Sequence, residues 1–162
     1  MVSRAGKHWY GWLGAKSGQG FFVKKGKEIL EIDPQTLEYG PVKKLKTPSI
    51  EMAKQVRGLG NKVKALTYAE DRTGELLWNI LAPTLVYAAK LHGEIADDIV
   101  AIDNAMKWGF GWAQGPFEIW DAVGVKQSLE KMKGEGREIP AFVEEMLAKG
   151  IQTFYSEIEG VY

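Results

Sequence analysis

A mostly α-helical bundle carrying a short N-terminal β-hairpin is the fold class that this sequence predicts. Three observations carry the prediction. Apolar residues recur at three- and four-residue spacing through most of residues 49–162. Glycines and prolines punctuate that stretch at helix-length intervals. One pair of β-prone runs, joined by a glycine-containing turn, stands near the N-terminus.

The elements follow in order. In "GFFVKKGKEILEID", Phe21, Phe22 and Val23 form one run and Ile29, Leu30 and Ile32 the other, with a turn at "KKGK" between them. The segment "DPQTLEYGPVKKLKTP" holds three prolines and reads as a linker. In "TPSIEMAKQVRGLG", Ser49 is placed to cap a short helix with Ile50, Ala53 and Val56 on one stripe, and Gly58 and Gly60 stop it. The stretch "TGELLWNILAPTLVYAAKLHG" predicts a long helix capped at Thr73 and ended by Gly93. It is apolar nearly all round, the mark of a helix buried in the middle of a bundle. Pro83 predicts a kink near residues 79–83. In "ADDIVAIDNAMKWG", Ile95, Ile99, Ile102 and Met106 form a stripe, Asp97 and Asp98 suit the helix N-terminus, and Gly109 takes the left-handed C-terminal position. Three further helices read from "GPFEIWDAVG", "VKQSLEKMKGEG" and "PAFVEEMLAKGI", with Pro116 and Pro140 opening the first and third. No internal repeat of roughly 20–50 residues stands out.

Composition narrows the function. The chain has 162 residues, 45% of them hydrophobic, enough for a real core. Its 21 basic and 21 acidic residues balance, which argues against nucleic acid or an anionic membrane as the main partner. There are no cysteines, so disulfides, thiol catalysis and cysteine-ligated metals are excluded. The two histidines, His8 and His92, stand far apart and predict no metal site. No apolar run reaches ~18 residues and no signal peptide is evident, so a soluble cytoplasmic protein is expected.

The glycine-rich stretches fail as nucleotide loops. In "GAKSGQGFF" the Lys16-Ser17 pair precedes Gly18 rather than following it, which is the wrong order for a phosphate loop. In "GFGWAQG" the third glycine, Gly115, falls one residue late for a dinucleotide fingerprint, and the stretch follows a helix instead of a strand. Tight turns are the simpler reading. Among the acids, Asp97, Asp98, Asp103 and Asp121 read as helix-end or solvated charges. Glu118 lies between apolar residues, which makes it a candidate partner for backbone amides or a neighbouring helix. Asn79 sits in an apolar helix four residues before Pro83, where a buried amide would either bond carbonyls freed by the proline or point into a ligand site. Neither histidine has a nearby acid or nucleophile in the sequence, and both read as surface or boundary residues.

Two stretches together carry a resemblance. "ADDIVAIDNAMKWGFGWAQGPFEIWDAVGV" resembles the C-terminal domain of the NAD-dependent 3-hydroxyacyl-CoA dehydrogenases, through Asp103, Ala105, Met106, Gly109, Gly111, Gly115, Pro116, Phe117, Glu118, Asp121 and Gly124. The upstream "WLGAKSGQGFF" resembles an element near the end of that same domain. A domain end followed by a domain start implies a tandem pair. On this reading residues 1–48 are the tail, hairpin and linker of a preceding helical domain, and residues 49–162 are the second copy.

The resemblance implies a helical bundle like the C-terminal domain of 6-phosphogluconate dehydrogenase. It implies a fragment of a β-oxidation enzyme that converts 3-hydroxyacyl-CoA to 3-ketoacyl-CoA, in a family whose tandem members are often fused to an enoyl-CoA hydratase. NAD and the catalytic histidine and glutamate would belong to an upstream Rossmann domain, leaving this chain inactive alone and without a bound cofactor. Asn79 is the position to which the family's catalytic asparagine carries over. Trp108, Gly109, Phe110, Gly115, Pro116, Phe117 and Glu118 are the expected substrate-cleft or interface residues, with Trp108, Phe110, Trp112 and Phe117 filling the corner between two helices. Expected partners are the upstream Rossmann and helical domains, acyl-CoA and a second copy in a homodimer. The competing expectation is a non-catalytic module for dimerisation or acyl-CoA binding.

Overall fold

The computed structural model describes residues 12–43 and 46–156. His8 lies outside the described residues. The chain divides into two compact units, residues 1–45 and 46–162.

The first unit is a small antiparallel sheet. After a short turn of 3-10 helix at Ala15–Ser17, strands β1 (Phe22–Lys25), β2 (Glu28–Ile32) and β3 (Tyr39–Pro41) pair in the order β1-β2-β3. Val23 faces Leu30 and Ile32 faces Tyr39 across the ladders. The hairpin turns at Gly26, whose φ of 63° suits glycine. The third strand corrects the linker expected over this stretch. Asp33 Oδ1 accepts from the Gln35 and Thr36 N–H groups at 2.8 and 3.1 Å, so the chain doubles back at Asp33-Pro34. The Tyr39 hydroxyl then donates to the Gly20 carbonyl at 2.6 Å. A proline-rich stretch becomes an edge strand because proline is tolerated where no partner needs its N–H.

Seven helices make up the second unit among the described residues: α1 (Pro48–Ala53), α2 (Leu59–Thr67), α3 (Arg72–Leu91), α4 (Ile99–Phe110), α5 (Pro116–Val123), α6 (Val125–Gly134) and α7 (Ala141–Ala148). Thr47 caps α1, in place of the expected Ser49. Ser49 instead bonds Asp71, through its N–H at 3.1 Å and its hydroxyl at 2.9 Å. Asp71 also accepts from Thr73 and Gly74, and so caps α3 two residues ahead of the expected Thr73. Helix α2 begins where two glycines predict a stop. Gly58, with φ of 82°, turns the chain, and Gly60 admits α5: a Cβ there would lie 2.9 Å from the Cβ of Ala122.

The core is built on one face of α3. Trp78, Ala82, Leu85 and Ala89 pack with Phe117, Trp120 and Val123 of α5, Leu129 and Met132 of α6 and Val143 of α7. Trp120 Nε1 donates to the buried Ser128 hydroxyl at 2.7 Å, and that hydroxyl donates to the Val125 carbonyl at 2.9 Å. Pro83 lies within a continuous helical run, on its solvent side. There its ring is exposed rather than packed in the core.

Candidate functional site

Two surfaces of the second unit collect the expected site residues. The first is the corner between α4 and α5. Asp98 caps α4 by accepting from the Ala101 N–H at 2.7 Å. The helix runs through the expected stop at Gly109 and ends at Gly111, whose φ of 68° provides the left-handed exit. Ile95, expected on the buried stripe, precedes the helix and is exposed.

The corner is held by a carboxylate that the charge pattern did not reveal. Asp103 is fully buried. Its Oδ1 accepts from the Phe117 N–H at 2.8 Å, and its Oδ2 from the Glu118 N–H at 3.0 Å and the Tyr155 hydroxyl at 2.9 Å. An anion thus sits at the positive N-terminal end of α5 and satisfies two of its free N–H groups. Gly115 is required for this approach, since a Cβ there would collide with the Asp103 side chain. Glu118 Oε2 accepts from the Gly115 N–H at 2.8 Å, and Oε1 pairs with Lys107 Nζ at 2.6 Å, so it ties α5 both to its own first turn and to α4. Burial pushes the Glu118 carboxyl up, but Lys107 and the Gly115 N–H outweigh it and hold the group below the usual glutamate range.

A second carboxylate anchors the chain end. Asp121 accepts from the Phe154 and Tyr155 N–H groups at 2.8 and 3.0 Å. Burial raises its carboxyl above the usual range against those two bonds, and nearby Asp103 adds to the rise. Burial and the bond to Asp103 likewise raise the Tyr155 phenol. The Phe154 ring meets Phe117 edge-on at 4.9 Å and lies 5.4 Å from Trp120.

The aromatic half of the corner corrects the sequence expectation. Phe117 and Pro116 are buried, but Trp108 and Phe110 are 81% and 75% exposed, and Trp112 is exposed as well. Trp108 stands five residues beyond Asp103, which turns it to the far side of α4. Phe110 lies on the last turn, past the point where α5 folds back. The corner is filled from elsewhere, by Phe154 and Tyr155.

The second surface is the outer face of α3. Asn79 is exposed there, so the buried amide expected from its apolar neighbours is not found. Leu76, Ile80 and Tyr87, each more than half exposed, form with Pro83 an apolar stripe beside it. The helix has two apolar faces, of which the core covers one. Asn79 borders an open groove of about 650 Å³ shared with Tyr68, Arg72, Glu75, Trp78, Lys131 and Glu135. Trp78 Nε1 donates to Glu135 Oε1 at 2.6 Å, and the Lys131 ammonium stands 4.3 Å from the Trp78 ring. His92 packs on Phe142 at 4.9 Å.

No three histidine or acidic side chains among the described residues gather to hold a metal. The only sheet among them is antiparallel, with no helical crossover to place a helix N-terminus against a pyrophosphate, so the described residues do not form a dinucleotide site of the βαβ kind. No helix among them is long and apolar enough to cross a membrane.

Residues 77–153 match the family model of the 3-hydroxyacyl-CoA dehydrogenase C-terminal domain. The chain is 58% identical over 150 residues to a probable 3-hydroxyacyl-CoA dehydrogenase of Bacillus subtilis, a match over 93% of this chain and 19% of that protein. It is 32% identical over 111 residues to a putative fatty acid oxidation complex trifunctional enzyme of Rickettsia felis, covering 66% of this chain and 14% of that one. It is 39% identical over 56 residues to the mouse mitochondrial hydroxyacyl-coenzyme A dehydrogenase, covering 35% of this chain and 18% of that one. No solved structure matches. Through its helical unit the chain belongs to the 3-hydroxyacyl-CoA dehydrogenase family, as a C-terminal domain. It spans less than a fifth of the length of these relatives.

Proposed function

We propose that this chain is the distal helical part of a longer enzyme that oxidises 3-hydroxyacyl-CoA to 3-ketoacyl-CoA, with NAD held by a domain outside it. Its role there is to scaffold. The outer face of α3 packs on another helical copy of the same protein, and the exposed aromatic end of α4 borders the acyl-CoA cleft or a neighbouring domain. The observation that carries this reading is the exposed stripe Leu76, Ile80, Pro83 and Tyr87, which continues the apolar character of α3 onto a face that the described core leaves uncovered. The test is reconstitution: this chain is added to a protein carrying the preceding Rossmann and helical domains. Turnover and thermal stability should rise, and the Ile80→Glu chain should fail to raise them. Unchanged turnover and stability with the native chain would sink the scaffolding role, and self-association of the chain alone would favour a dimerisation module.

A second reading gives Asn79 a catalytic contact, as the family resemblance implies. Its exposure at the rim of the groove favours it, because the amide is free to reach a ligand. Asn79→Ala in the longer protein should then lower kcat with little change in stability. Unchanged kcat and KM would remove the residue from the chemistry.

A further inference from the structure

The segment after α7 is tied to the helical unit at a few points. Residues 151–155 form neither helix nor strand, and Ile151, Gln152 and Thr153 are exposed. Gly150 leads into them with a φ of 80°, a bend that suits glycine. The Ile151 N–H donates to the Met146 carbonyl at 3.1 Å and closes the turn onto α7. The segment then returns to the unit through two residues. The Phe154 ring enters a slot between Phe117, Trp120 and Phe142, at centroid distances of 4.9, 5.4 and 6.4 Å. The Phe154 and Tyr155 N–H groups end on Asp121, and the Tyr155 hydroxyl ends on Asp103. A segment held by one ring and a few hydrogen bonds opens at a lower free energy than the core beneath it.

The same ties gather like charge. Tyr155 links two carboxylates, with its N–H on Asp121 Oδ2 at 3.0 Å and its hydroxyl on Asp103 Oδ2 at 2.9 Å. Among the described residues no cation pairs with either one. Lys107 of α4 is taken by Glu118. The charged groups acting on Asp121 and Tyr155 are Asp103 of α4 and, for Tyr155, also Glu118 and Asp121 of α5, all acidic. Helices α3 and α6 meet α5 with Leu85, Leu129 and Met132. Lys64 of α2 reaches the far end of α5, where its Nζ lies 3.6 Å from the place a Gly124 Cβ would take. Closing the segment therefore buries the Asp121 charge beside a like charge, and its two N–H bonds offset that cost only in part.

We propose that residues 151–155 are a proton-governed clasp, which lifts from the aromatic slot as a unit while the helices stay folded and closes more tightly when Asp121 carries a proton. The neutral carboxyl still accepts from the two N–H groups and no longer repels Asp103. The direction follows from linkage. Asp121 is raised by burial, so it favours the closed form below its unfolded value of about 3.9, and this contribution is lost as pH rises through the folded value. The raised Tyr155 phenol acts in the same sense above about pH 10. Glu118, held low by Lys107, acts in the opposite sense, so the clasp and the α4–α5 corner part company on acidification. Opening bares Phe117 and Trp120 and takes the phenol from Asp103, which couples proton concentration to the order of that corner. The clasp stands apart from the scaffolding reading and is tested without it.

The test is hydrogen exchange of the whole chain followed by NMR, with rates corrected for the intrinsic effect of pH. The Phe154 and Tyr155 amides should open about tenfold or more as often as those of Trp120 and Leu129. Their protection should rise about threefold or more from pH 7 to pH 4. Asp121→Asn should abolish that rise, and Glu118→Gln should leave it intact. Because Asp121→Asn also weakens one of the ties, 4-fluorophenylalanine at position 154 of the otherwise native chain gives a second readout, in which the closed fluorine signal should gain on acidification. Equal opening of the clasp and core amides would overturn the separate motion. Protection that stays flat or falls from pH 7 to pH 4, a fluorine signal indifferent to pH, or a rise that persists in Asp121→Asn would each overturn the role of the Asp121 proton.

Discussion

The stretch Ala105–Glu118 has two halves that are alike in sequence and opposite in fate. Both are rich in glycine and aromatic residues. The C-terminal half, Gly115–Glu118, is buried or half-buried around Asp103, with each of its polar groups discussed above bonded within the unit. The N-terminal half turns Trp108, Phe110 and Trp112 to solvent. Aromatic content therefore does not say which residues fill a corner. The position of one carboxylate decides it, because Asp103 draws the α5 N-terminus onto α4 and leaves the final turn of α4 outside. The inner half maintains the fold, and the outer half is free for a partner. Helix α3 repeats the division, with Trp78 and Leu85 on its inner side and Ile80 and Tyr87 on its outer side.

The comparison can be broken most directly at Asp103. Asp103→Ala leaves two N–H groups and a phenol without an acceptor in a closed site, and should cost about 3 kcal/mol or more in urea unfolding followed by tryptophan fluorescence. A loss below about 1 kcal/mol would mean that the inner half does not depend on the carboxylate. Gly115→Ala comes next, at roughly 2 kcal/mol, since the new methyl group must displace Asp103. Glu118→Gln should cost less than about 1 kcal/mol, because its pair with Lys107 is partly solvated. Its pH dependence sharpens the point. The folded carboxyl titrates below the unfolded value of about 4.3, so its stabilisation is present above that pH and is lost as pH falls through the folded value. The Tm difference between the native chain and Glu118→Gln should therefore shrink on acidification, and a difference constant from pH 7 to pH 3 would refute the assignment. Trp108→Ser should change the stability of this chain by no more than about 0.5 kcal/mol, yet weaken its recovery of turnover in the reconstitution.

The helices from α3 to α7 were legible because apolar period and glycine or proline punctuation agree along them. The failures have common physical causes. Helix α2 was hidden by Gly58 and Gly60, whose breaking signal is local. Here one of the two serves as a turn and the other as clearance for Ala122. Strand β3 was hidden by its proline, which is harmless at an edge. Asp103 and Asp121 looked like surface acids because all but one of the bonds they accept come from backbone N–H groups, and these leave no mark on the sequence. Asn79 looked buried because its neighbours are apolar, yet the period of α3 turns it outward with Ile80.

By itself the sequence determined that the second unit would be helical, where most of its helices lie, which family motif joins α4 to α5, and that no cysteine chemistry takes part. Those features depend on residues near one another along the chain. The tertiary structure alone decided which apolar faces are covered, which carboxylates are buried, and that Phe154 and Tyr155 close the corner while Trp108 and Phe110 stand open. Burial depends on which distant segments meet, and an aromatic residue has the same local preferences whether it finds a pocket or solvent.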